Sequence, residues 1–375
     1  MKISLKRTPE QLELIKAMAS KNRSVAYEAQ VALAQFIGPV IAEVINNAPV
    51  LSNLFTSLQF NSEDNPSIPL DLYYDVTDED YVQIYSNSVA GGLPQNQVVP
   101  TVSELKVATY SLDTAVSFDR RYAAKSRMDV VSKTFTRMAQ EILLKQERTS
   151  ANLIMGAVAG ASTNGKDHVF RATTDGSFLL DDFNNLITRA KRINTAWNKG
   201  TPEGGRRGIT DIMVSPEAVK ALREMSYNPV NTKTVGTGND LAAPESLRES
   251  VYNAGGGLPD FYGVSIMEVN ELGVGQKFNT IFDTIAGTTQ YADANGNNSA
   301  VFDDASDEIL LGLDRGRDAL VKAIAVDEEN GSEFQLTADD QYSIRQNKIG
   351  FFGGIEEGRM VLDNRALAGI VCNGL

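Results

Sequence analysis

The chain has 375 residues, 42% hydrophobic and 22% charged, with 30 Gly and 12 Pro; this composition excludes a disordered or fibrous protein and leaves room for two or three cores. One cysteine, Cys372, excludes an internal disulfide, and one histidine with one cysteine excludes a structural zinc site of the usual Cys/His kind. The net charge of -13 is distributed in blocks: Ser24 to Leu105 contains no Lys or Arg, Lys106 to Arg207 is net positive, and the remainder is strongly acidic.

Thr8-Pro9-Glu10-Gln11 reads as a helix start, with Thr8 as N-cap, Pro9 at the first helical position and Gln11 placed to close a capping box. A second helical pattern, SVAYEAQVALAQFIGPVIAEVINNAP, is expected to bend or break at Gly38-Pro39. The N-terminus has no apolar core of the secretory kind, and the run NLIMGAVAGA is shorter than a membrane span, so the expectation is a soluble, cytoplasmic chain without a membrane partner. These first sixty residues precede any strand and read as an arm.

IPLDLYYDV, from Ile68, alternates apolar and acidic positions, and residues 102 to 118 alternate again through Val102, Ala108, Tyr110, Leu112, Val116 and Phe118. Between them lies the uncharged turn SNSVAGGLPQNQVVP. The pattern predicts a β-ribbon with arms of roughly 60 Å at about 3.3 Å per residue. A two-stranded ribbon is marginal by itself in water, so its remaining contacts are expected from a second copy of the chain. Candidate contact residues are Val89, Gly91, Gly92, Leu93, Pro94 and Val98 at the tip, with Asp78, Glu79 and Asp80 in the acidic arm.

The segment Val130 to Val158 has no Gly or Pro before Gly156 and reads as one helix of roughly 40 Å. Val131, Phe135, Met138, Ile142 and Leu153 mark its apolar stripe, which Gln146 and Thr149 interrupt, so its middle is expected to be wetter than its ends. Arg120, Arg121, Arg137, Lys145 and Arg148 in this positive block are the candidate partners of the acidic arm. Beyond it, LLDDFNNLITRAKRINTAW is helical, DIMVSPEAVKALREM is a strand running into a helix capped by Ser215-Pro216, Pro244 opens another helix, FYGVSIMEV is a strand, and Asn295-Gly296 marks a hairpin. The last fifty residues are rich in strand patterns.

Motifs for chemistry are sparse. His168 reads as part of a surface turn, the glycine clusters lack the context of a phosphate loop, and DADANGN lacks the closing Glu of a calcium loop. The basic block has no interleaved aromatics for stacking on nucleic-acid bases. A hydrolase reading would need Asp303, Asp304 and Glu308 gathered in one pocket. The expectation is a chain that is not an enzyme and holds no cofactor or metal.

The order of elements, with the phrases DIMVSPEAVKAL and KIGFFGGIEEGRMVLDNRALAGIVC, resembles the major capsid protein of tailed bacteriophages, a fold shared with encapsulin shells. The resemblance implies an α+β fold with an N-terminal arm (1–60), an extended β-hairpin loop (61–119), a long spine helix with a peripheral β-sheet and the start of an axial lobe (120–204), an α/β axial lobe (205–325) and closing strands (326–375). It implies self-assembly into hexamers and pentamers of an icosahedral shell enclosing phage double-stranded DNA, in a virion capsid assembled in the host cytoplasm, with portal and decoration proteins as partners and a separate scaffold or none. An encapsulin-like nanocompartment is the alternative within the same fold. No lysine lies between Lys21 and Lys106, so the covalent weld some relatives form through a hairpin lysine is not expected here, and a noncovalent lock is.

Overall fold

A computed structural model describes residues 8–47, 51–61, 64–69, 104–162, 168–193, 208–227, 262–292, 298–326, 333–339 and 347–375. The predicted helix at Pro244, the turn at Asn295-Gly296 and the ribbon tip lie outside them. The fold is α+β, in two units. The first comprises the described residues of Met1–Ser67, Lys106–Ser150 and Val321–Met360; the second comprises those of Ile68–Leu105, Ala151–Leu320 and Val361–Leu375.

The first unit begins with α1 (Pro9–Met18) and α2 (Arg23–Asn47). Thr8 caps α1, its hydroxyl accepting from the Gln11 amide at 3.4 Å, but the capping box stays half closed because Gln11 Oε1 has no partner. Of the bend or break expected at Gly38-Pro39, the break does not occur; the helix runs through Pro39. Proline deletes one intrahelical hydrogen bond, and burial of Leu33, Ile37, Ile41 and Ile45 in the core offsets that loss. Gly38 is buried beside the Phe334 carbonyl and Leu336 Cβ, which would lie at 3.7 and 3.8 Å from a Cβ there, an ordinary van der Waals contact. The two helices are therefore built into the core.

That core faces a five-stranded sheet of β1 (Thr56–Asn61), β4 (Thr109–Asp119), β11 (Leu320–Val326), β12 (Gln335–Asp339) and β13 (Lys348–Val361). β1 runs parallel to β11, Thr56 beside Val321. β4 is antiparallel to β13 from Asp119↔Lys348 to Thr109↔Gly358, and its alternation puts Leu112, Val116 and Phe118 inward, as the period-two pattern predicts. Phe118 and Phe135 both pack on Phe351, the latter edge to face at 5.2 Å between ring centroids.

The predicted second ribbon arm is thus divided between two sheets. Residues 109–119 belong to the unit's own sheet, while β2 (Ser67–Pro69) and β3 (Glu104–Lys106) form a separate two-stranded sheet that includes no other strand among the described residues. The division falls at Val107 and Ala108. Val107 is buried and donates its amide to Pro66, and both residues crowd Gly358.

A short helix, α3 (Arg120–Ala124), leads to α4 (Met128–Ser162), longer than predicted at both ends. Val131, Phe135, Met138 and Ile142 are buried as read, but the stripe continues through Gln146, Ser150, Ile154 and Val158, leaving Leu153 half buried.

The second unit holds a seven-stranded mixed sheet of β5 (Val169–Arg171), β6 (Asp211–Val214), β7 (Ser265–Glu268), β8 (Gln290–Ala292), β9 (Asn298–Val301), β10 (Asp307–Leu313) and β14 (Leu367–Asn373), ordered β7-β6-β10-β14-β5-β8-β9. α5 (Leu180–Ile193) and α6 (Pro216–Tyr227) cover Ile212, Leu310 and Ile370 with Phe183, Leu186, Val219 and Leu222. α7 (Lys277–Ala286), which the sequence reading passed over, packs Phe282 against Tyr291 and Phe302. His168 is buried, not on a surface turn, with Nδ1 2.8 Å from the Leu367 carbonyl. Cys372 is a buried hydrophobe in the terminal strand, and burial pushes its thiol well above the ordinary range.

Candidate subunit-contact surface

The middle of α4, expected to be wet, is buried and polar. Glu357 and Arg359 on β13 are almost fully buried and form a bidentate pair, Arg359 Nε to Glu357 Oε1 at 3.2 Å and Nη2 to Oε2 at 3.0 Å. Gln146 Nε2 donates to Oε2 and the Tyr110 hydroxyl to Oε1, each at 2.8 Å. Arg359 Nη1 reaches the Gln146 carbonyl at 3.3 Å and the Ser150 hydroxyl, and the guanidinium stands over the Phe55 ring at 5.7 Å. Burial, then the Glu357 charge, raises the Tyr110 pKa well above its ordinary value. Burial and the nearby Arg359 charge lower that of Lys322 on β11. Glu147, next on the helix, accepts from the amides of Leu51 and Ser52 at 3.0 and 3.1 Å. These contacts fix the rotation of α4, and with it the face that α4 turns outward.

On that outward face Lys133, Arg137, Leu144, Lys145 and Arg148 are all exposed, Leu144 at 46%. None of the four cations makes an ion pair among the described residues. α2 presents a second outward row, Val25, Glu28, Ala32, Phe36, Pro39 and Glu43, in which Phe36 is 52% exposed. By length and composition α2 from Arg23 to Ile45 is apolar enough to cross a membrane; its opposite side is embedded in the first unit's core.

The fourteen residues nominated from the sequence are distributed as follows. Arg137, Lys145 and Arg148 stand on the exposed face of α4. Arg121 is exposed beside Asp119 at 3.7 Å. Arg120 is engaged within its own unit, its guanidinium donating to the Ser20 carbonyl and its amide to Asn347. Val89, Gly91, Gly92, Leu93, Pro94, Val98, Asp78, Glu79 and Asp80 lie outside the described residues. The α2 row escaped sequence reading, although a helical projection of residues 25–43 separates its exposed Phe36 from the Ile37 and Ile41 side.

The three carboxylates of the hydrolase reading have different partners. Glu308 is fully buried, bonded to the Ser215 hydroxyl at the start of α6, with Oε2 unpartnered. Burial pushes its pKa up to about 7. Asp303 accepts from the Ala305 amide in an exposed turn, and Asp304 from the Thr280 hydroxyl. No group of three His, Cys, Asp or Glu arranged to hold a metal occurs among the described residues.

No protein-family model and no curated protein matches the chain. Solved structures are similar to it. The capsid of the cyanophage P-SCSP1u aligns over 87% of this chain and 88% of its own, with 12% identity and a TM-score of 0.46. The holo-SrpI encapsulin complex of Synechococcus elongatus PCC 7942 aligns over 85% of each, with 14% identity and a TM-score of 0.43. A virus-like particle from Pyrococcus furiosus aligns over 92% of this chain and 99% of its own, with 11% identity and a TM-score of 0.41. The chain is thus similar to phage capsids and to encapsulin shells alike.

Proposed function

We propose that the chain is a shell-forming subunit, a major capsid protein of the tailed-phage kind, which assembles with copies of itself into hexamers and pentamers enclosing double-stranded DNA. The observation that carries the reading is the order of elements on either side of residues 70–103. Two helices and β1 precede them, β2 and β3 on their two flanks pair as a sheet of their own, and β4 then returns to the first unit before α4, the mixed-sheet unit and the closing strands. Residues 70–103, with the uncharged tip, then meet a neighbouring copy, and the acidic arm at Asp78, Glu79 and Asp80 meets exposed basic residues such as Arg121 and Lys145. The lock is noncovalent. The subunit belongs to a virion capsid assembled in the host cytoplasm, with portal and decoration proteins as further partners.

Deleting residues 87–99 tests this. The expected result is a folded, soluble subunit that no longer forms closed particles, read by electron microscopy and sedimentation. Particles formed as before would overturn the role given to the tip. The contents of particles purified from the native source separate the two shell types: nucleic acid for a capsid, a protein cargo for a nanocompartment.

A further inference from the structure

Two exposed rows on the first unit are complementary in both spacing and charge. On α2, Glu28, Ala32, Phe36, Pro39 and Glu43 fall within an arc of roughly 80° at about 3.6 residues per turn. No Lys or Arg follows Arg23 on that helix. On α4, Lys133, Arg137, Leu144 and Arg148 fall within an arc of roughly 60°. Glu28 and Glu43 are separated by the same number of residues as Lys133 and Arg148, about 22 Å along either axis at about 1.5 Å per residue. Glu147, the acid beside Arg148, is turned away to the amides of Leu51 and Ser52.

We infer that the α2 row of one copy docks antiparallel on the α4 row of a second copy. Direction follows from what each alignment places together. Antiparallel, Glu28 meets Arg148, Glu43 meets Lys133, Ala32 faces Leu144, Phe36 faces Gln140, and the acid Glu141 faces uncharged Gln35. Parallel, the acids still find cations, but Phe36 lands on Glu141 and desolvates a carboxylate against a ring. The small Ala32 opposite Leu144 lets the helices approach closely, and the exposed Phe36 gains cover. Exposed ion pairs contribute little individually, so the charges here set direction and register while the apolar positions supply contact. Because the two rows are different parts of the surface, a copy that offers α2 to one neighbour still presents α4 to another, and the contact propagates around a ring.

The inference rests on the self-assembly proposed above, and its test uses the full chain. Wild type, Glu28→Lys/Glu43→Lys, Lys133→Glu/Arg148→Glu and the four-site combination are compared by analytical ultracentrifugation, with circular dichroism to establish folding. Each double variant is expected to stay folded and to lose assembly by about tenfold or more, and the four-site exchange to recover it. Doubles that assemble like wild type, loss in the α2 double alone, or a four-site chain that does not recover would overturn the contact and leave the shell reading standing. A wild type that never assembles would sink both. Direction is read by oxidative cross-linking: Ala32→Cys with Leu144→Cys should give copy-to-copy ladders, and Ala32→Cys with Arg137→Cys, the parallel neighbours, should not. The reverse pattern overturns the antiparallel docking.

Discussion

Gln146 on α4 donates to Glu357 Oε2 at 2.8 Å across 211 residues of sequence, completing the shell of donors around a carboxylate with no exposure to water. The bond joins the middle of the long helix to the strand beneath it, where a further leucine would have packed without fixing rotation. Removing one partner of a buried ion pair leaves the other charge unpaired in a poor solvent for it. Glu357→Ala is therefore expected to cost about 3–5 kcal/mol of unfolding free energy. Gln146→Leu, which strands one lone pair of Glu357, should cost about 1–3 kcal/mol. Urea unfolding followed by circular dichroism measures both, and a Glu357→Ala chain as stable as wild type would contradict the account.

Glu308 predicts a pH dependence. Its pKa in the folded chain is raised to about 7 from an ordinary 4.5, with burial as the main cause. A raised carboxyl pKa means that the folded state binds the proton more tightly than the unfolded one. Its contribution is thus fully present below about pH 4.5, declines as pH rises through the interval, and is gone above about pH 7, for a total of about 3 kcal/mol. Because other carboxylates titrate in the same range, the measurement is the difference between wild type and Glu308→Gln in urea unfolding from pH 5 to 8. Wild type should lose stability relative to the amide across that window; a flat difference would argue against a buried, proton-bearing Glu308.

Ser215 couples to the same group. Its hydroxyl accepts from the Ala218 amide at 2.9 Å and contacts Glu308, and the latter bond holds the Glu308 pKa down. Ser215→Ala should cost about 1–2 kcal/mol as a lost helix cap. It should also move the Glu308 transition to higher pH, a displacement visible in the same titration and absent if the serine acts only as a cap.

Gly358 lies opposite the start of β4, against Val107 and Ala108. A Cβ there would stand 2.7 Å from the Ala108 carbonyl oxygen and 2.8 Å from Val107 Cγ1. Backbone cannot yield as a flexible side chain would, so Gly358→Ala should cost about 1–3 kcal/mol. Hydrogen exchange should localise the loosening to residues 107–110; an unperturbed exchange pattern would show that the crowding is relieved elsewhere.

Local signals in the sequence are legible wherever the immediate neighbours decide the structure. Thr8-Pro9 and Ser215-Pro216 start helices because capping is a contact over three residues, and β4 alternates because one side faces a core. Features that distant residues decide are not legible locally. Pro39 is carried inside α2 by the packing of Leu33, Ile37, Ile41 and Ile45. Gln146 looks like a wet interruption in the sequence because its partners, Glu357 and Arg359, lie at the far end of the chain. Arg137 and Arg148 of the α4 row are legible in the sequence as candidate contacts, whereas α2 is apolar on several sides and burial shows which of them faces outward; the sequence-nominated tip residues lie outside the described residues.

β1 has a further consequence, in time. Thr56 pairs with Val321, so the strand leaves the ribosome long before its neighbour exists. At synthesis rates of about 5–20 residues per second, the N-terminal segment waits on the order of tens of seconds with Leu33, Ile37 and Ile41 uncovered. The mixed sheet also waits, because β14, which sits between β10 and β5, is the last strand made. Expression yield should therefore respond to translation speed and to chaperone supply, in part through the first sixty residues, even though those residues are well packed in the finished fold.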